Sequence, residues 1–114
     1  MGPDEDDGTK AEVALGKRLV SRARSWIARN PEGWLAFRAA CAMAQRRYGG
    51  VSRDQVYTVL RERHVELTDR KGVVRAHDLF SALVRYAQVY DPGLSVRRGH
   101  CSVDKAYPDG LPEL

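Results

Sequence analysis

Two interruptions constrain what this chain can fold into: Asn30-Pro31-Glu32, and Gly49-Gly50-Val51-Ser52. Proline lacks an amide hydrogen and suits the first position of a helix, while glycine closes a helix by turning left-handed. The stretch between them is therefore a helix with both ends marked. It carries Trp34, Phe37, Cys41, Ala44 and Tyr48 at spacings of three and four, flanked by Leu35, Ala36, Ala39, Ala40, Ala42 and Met43. Apolar nearly all round, this helix is expected to be the central, buried one.

The same grammar extends in both directions. Ser52 with Gln55 forms a capping box, with Val51 and Val56 at the hydrophobic-staple positions, and opens a helix over 53–64 that buries Val56, Val59, Leu60 and His64. Upstream, Thr9 with Glu12 forms a second box and predicts a helix over 10–29. At about 100° per residue, Val13, Leu15, Leu19, Val20, Ala23, Trp26 and Ile27 fall on one side of it. Lys10, Lys17, Arg18, Ser21, Arg22, Arg24 and Arg29 fall on the other. A last helix, over 77–90, turns Leu79, Phe80, Leu83, Val84, Ala87 and Tyr90 inward and His77, Asp78, Ser81, Arg85 and Gln88 outward, and Asp91-Pro92-Gly93 stops it.

Two stretches change period. Val65, Leu67 and Val73 alternate around the turn-rich run 68–72, and Ser95 to Val103 reads as two short strands with Arg97 and Arg98 near the tip. The expectation is a mainly-α, four-helix domain with one or two short β-hairpins, arranged like a winged helix-turn-helix. Residues 1–8 read as a disordered acidic leader, 9–104 as one domain and 105–114 as a tail.

Charge then narrows the function. The first eight residues carry a net −4, residues 9–75 a net +9 and the remainder −1, and fifteen of the nineteen bases are arginine. A basic block of this size attracts an anionic partner. In a winged arrangement the last helix would read base edges with Arg85 and Gln88, assisted by Ser81 and His77. Arg97 and Arg98 would hold phosphates at the wing, and Arg22, Arg24, Arg53 and Arg61 would add sequence-independent attraction. A second placement runs the motif from the 31–48 helix through Gly49-Gly50 into the 53–64 helix, which names different readers. Double-stranded DNA is thus the first partner expected and an acidic host protein the alternative, and a homodimer is compatible with either.

Catalytic signals are thin. Cys41 lies among alanines and reads as packing, and His100-Cys101 with Asp104 falls short of the four spaced ligands of a zinc site. No glycine-rich phosphate loop, HExxH or paired-carboxylate motif is present, so neither enzyme activity nor a cofactor is expected. The two cysteines share no CxxC spacing, the start is acidic where a signal peptide is basic, and no apolar run nears the ~20 residues of a bilayer span. These features predict a cytoplasmic location away from membranes.

Residues 30–97 also resemble a group of small bacterial and phage proteins. The likeness rests on Asn30, Pro31, Glu32, Trp34, Phe37, Ser52, Arg61, Arg85, Tyr86, Pro92 and Arg97, with a departure at 75–78, where Arg-Ala-His-Asp replaces an Asn-rich helix start. The resemblance implies a phage or mobile-element origin. Together these readings point to a small non-enzymatic DNA-binding or DNA-associated accessory protein, with a phage-made inhibitor of a host complex as the alternative.

Overall fold

The computed structural model describes residues 3–65, 79–96 and 102–114. Among them five helices follow one another: α1 (Pro3–Arg29), α2 (Pro31–Tyr48), α3 (Arg53–Glu62), α4 (Phe80–Tyr90) and α5 (Ser102–Ala106). The mainly-α expectation holds. No strand occurs among the described residues, and Ser102 and Val103, expected in the second hairpin, form the start of α5. The winged arrangement loses that strand because Val103 is drawn into the core as a helical residue. The first expected hairpin, apart from Val65, lies outside the described residues, as do Arg97 and Arg98.

α1 starts earlier than its capping box predicts. The backbone is already helical at Pro3, so the acidic run expected as a disordered leader continues the helix. Proline in the opening position and acidic residue types in the first turns suit a helix N-terminus. Thr9 then lies inside the helix, and the Glu12 carboxylate pairs with Lys105 Nζ on α5. Val20, Ala23, Trp26 and Ile27 are the buried stripe.

Gly16 marks where α5 crosses α1. A Cβ at this position would stand 2.1 Å from the Ser102 carbonyl oxygen and 2.6 Å from its carbon, both backbone atoms. Helix propensity alone favours Gly16→Ala by about 1 kcal/mol. The crossing reverses the sign, and the variant is expected to be less stable by about 1–3 kcal/mol, as overpacked sites are. Urea melts check it; a stabilised variant would show that α5 is not seated there.

Asn30 acts mainly on the helix before it. Its backbone N–H and side-chain Nδ2 both donate to the Trp26 carbonyl, at 2.9 and 3.0 Å, closing α1. Its side chain makes no cap to α2. Gly49 ends α2 in the left-handed region, φ 74°, with its N–H on the Gln45 carbonyl at 2.9 Å. The Ser52 cap is present, its Oγ accepting from Gln55 N at 3.3 Å, and Val51 and Val56 are both buried. α3 stops at Glu62, so His64 falls beyond it, exposed and at φ 57°, instead of in the core.

The central helix is α4, not α2. Six consecutive α4 residues, Ala82 to Ala87, are buried, whereas α2 has an outer face on which Leu35 is 62% exposed. α2 packs on α3 and touches α4; α4 in turn lies against α1 and, through its pair with α5, under the C-terminal segment. Phe37 joins the layers: fully buried, it stacks on Trp34 at 6.0 Å and meets the edge of Phe80 at 5.9 Å. The expected tail is fastened down. Tyr86 Oη donates to the Pro112 carbonyl at 2.9 Å, Arg24 Nη2 donates to the Glu113 carbonyl at 2.8 Å, and Tyr107 and Leu111 pack on the core.

Candidate nucleic-acid interface

Among the described residues, the outer face of α1 from Lys10 onward is a long surface of a single sign. Lys10, Lys17, Arg18, Arg22, Arg24 and Arg29 are all exposed on the side away from Val20, Ala23 and Trp26. At a rise of about 1.5 Å per residue they span about 28 Å. The intervening outer positions are Ala11, Ala14, Ser21, Ser25 and Ala28, none of them acidic, and Glu12 is turned toward α5 by Lys105. Among the described residues no carboxylate lies within 4.0 Å of Lys10, Lys17, Arg18, Arg22, Arg24 or Arg29. Arg29 Nε reaches the Ser25 carbonyl at 3.3 Å, which directs its side chain back along the helix.

Elsewhere several of the basic residues are paired. Arg47 pairs with Glu62 at 2.8 Å, joining α2 to α3, and Arg38 lies 3.6 Å from Asp91. Arg53 and Arg61 are exposed on α3, but Asp54 and Glu62 share that exposed surface, and α3 packs on α2 instead of beside α1. The structure therefore does not gather them with Arg22 and Arg24 into one surface.

The proposed base readers on α4 are not placed to read. Arg85 is 7% exposed, and its Nε and Nη2 bond both carboxylate oxygens of Asp104 at 2.7 and 2.8 Å. The outward stripe expected for this helix assumed one solvated side, whereas neighbours cover α4 on both. Gln88 is half-buried and donates to the Leu94 carbonyl at 3.0 Å; Ser81 is half-buried as well. His77, Arg97 and Arg98 lie outside the described residues.

Two clefts remain. One, about 530 Å³, is lined by residues including Arg85, Asp104, Lys105 and Tyr107, with its bases already paired, Arg85 to Asp104 and Lys105 to Glu12. The other, about 430 Å³, lies between α2 and the turn after α4 and includes Arg46 and Tyr90. Tyr90 was expected inward, yet it is 49% exposed, since α4 ends there and the chain turns away at Asp91.

Nucleophile and metal chemistry find little footing. Burial, and secondarily the charge of Asp91, push the Cys41 thiol up to about 12, so it stays protonated and unreactive at neutral pH. Among the described residues no three His, Cys, Asp or Glu side chains converge on a common point, and no helix is long and apolar enough to cross a membrane. Asp104, the described member of the His100-Cys101-Asp104 set, faces Arg85. No protein-family model, curated protein or solved structure matches this chain.

Proposed function

We propose that this protein is a non-enzymatic, DNA-associated accessory protein that docks on the phosphate backbone through the outer face of α1. One observation carries the reading: six exposed bases in 20 residues of one helix, with no carboxylate within 4.0 Å of them among the described side chains. A face of this kind positions a protein on nucleic acid by releasing counterions and reads no sequence. With Arg85 committed to Asp104, sequence preference through α4 is not part of the proposal. An acidic protein surface is the second reading, favoured by the exposure of Leu35 and Val89, at 62% and 64%, which DNA would leave uncovered.

Binding to a random duplex, followed by fluorescence anisotropy across salt concentrations, tests the first reading. A footprint of about six phosphates weakens by about 10³-fold between 50 and 200 mM salt. Replacing Arg18, Arg22 and Arg29 together by alanine is expected to lower the slope of log K against log salt by about 2.7, at about 0.9 per lost phosphate contact. All three residues are exposed, so folding is expected to survive the change. An unaltered slope in the triple variant would remove α1 from the interface.

A further inference from the structure

The cleft between α2 and the turn after α4 is built from fixed parts. Gln45 Oε1 accepts from Ser95 N at 2.7 Å, Val51 N donates to the Ser95 carbonyl at 3.0 Å, and Gln88 Nε2 holds the Leu94 carbonyl at 3.0 Å. These bonds fasten the segment 94–95 to α2 and α4. The cleft they border, about 430 Å³, is shallow and open to solvent. Ala42 and Gly93, two of its walls, are small and leave it open.

Tyr90 and Arg46 give the cleft its chemistry. The Arg38 guanidinium lies over the Tyr90 ring at 4.4 Å from its centre, and the edge of Trp34 meets it at 6.3 Å. Asp91, 3.6 Å from Arg38, holds that guanidinium in turn. The ring is therefore locked on one side, yet half of the residue remains open to solvent. A tyrosine immobilised in this way loses little freedom when something stacks on it. Arg46 is exposed at the cleft, and among the described residues no carboxylate lies within 4.0 Å of it.

We propose that this cleft takes an unpaired base of a single-stranded nucleic acid, stacked on Tyr90, with an adjoining phosphate on Arg46. An aromatic platform beside an unpaired arginine is the combination that single-strand binders use, because every base has a π face and every linkage a negative charge. A paired base inside a duplex is already stacked and cannot enter. The inference rests on the nucleic-acid reading of α1 and adds the class of ligand: a junction or opened duplex would engage both surfaces, the duplex on α1 and the free strand on the cleft.

The test compares a 12-nucleotide single strand with a 12-base-pair duplex by fluorescence anisotropy at one salt concentration. Tyr90→Ala is expected to weaken the single strand by about 5- to 150-fold, the usual worth of one stacked base, and to leave the duplex unchanged. Tyr90→Phe should bind as the parent does, since the ring is retained. Arg46→Glu, at an exposed position, should weaken the single strand more than the duplex and keeps the test valid if Tyr90→Ala fails to fold. Equal losses on both ligands, or none, overturn the cleft proposal. If Tyr90 and Arg46 variants bind normally while the α1 triple variant weakens on both ligands, the cleft alone fails; if the parent binds neither ligand, both readings fail.

Discussion

Replacing Asp104 by alanine is expected to lower stability by about 3–5 kcal/mol, the usual cost of leaving one member of a buried ion pair without the other. Arg85 is almost fully enclosed, and Asp104 holds it with two parallel bonds of 2.7 and 2.8 Å. The pair ties α4 to α5 across 19 residues of sequence, so its loss also loosens the short helix that Gly16 admits against α1. Against a total of about 5–15 kcal/mol for a domain of this size, the change is large. At about 4 °C per kcal/mol it lowers the melting temperature by roughly 12–20 °C, read by circular dichroism. Replacing both residues, Arg85→Met with Asp104→Leu, should recover most of that loss, because both charges of the pair are then removed together. If Asp104→Ala melts within a degree of the parent, Arg85 is not buried as described and regains its place as a candidate reader.

Phe37→Ala is expected to cost a comparable amount, about 3–5 kcal/mol, by a different route. The ring is completely buried and touches Trp34 within α2 and Phe80 at the start of α4. Its removal leaves a cavity whose walls are helices fixed at their ends by Asn30, Gly49 and Ser52, so collapse into the space is limited. Phe37→Leu, which retains most of the volume, should lose under half as much. Chemical denaturation of both variants checks the order, and equal stability of Phe37→Ala and the parent would place this ring outside the core.

Local signals in the sequence carry well into the fold, and long-range ones do not. Pro31, Gly49 and Ser52 mark helix ends because capping depends on residues within one turn of each other, whereas the Thr9 box falls inside α1 and Asn30 closes α1 without capping α2. The inner stripes of α1 and α3 follow their period at Val20, Ala23, Trp26, Ile27, Val56, Val59 and Leu60, whereas Leu15, expected inward, is 41% exposed and His64 lies beyond the end of α3. The reading of Arg85 and Gln88 as outward fails because periodicity says which residues share a face, not how many faces are covered. α4 is enclosed by α1, α2 and the chain around α5, and only those distant elements turn its polar stripe into a buried pair. Leu35 shows the converse: an apolar residue on an apolar-rich helix that no neighbour covers.

The candidate site divides along the same line. The α1 stripe was legible, since a face on a single helix needs only the helical period. The cleft was not, because it joins Ala42, Gln45 and Arg46 to Tyr90, Pro92 and Gly93 through the bonds of Ser95, across more than forty positions of sequence. Tyr90, with the apolar period of α4, read as core; its exposure follows from the helix ending at Asp91.

The measurement that bears most directly on the central claim is an amide chemical-shift titration of the protein with a short random duplex at low salt. The account predicts that the shifts concentrate on α1 from Lys17 to Arg29 and fade as salt is raised, while the Nε–H signal of Arg85 stays where it is. Shifts centred on α4 with movement of the Arg85 signal, or no shifts at any salt, would contradict it.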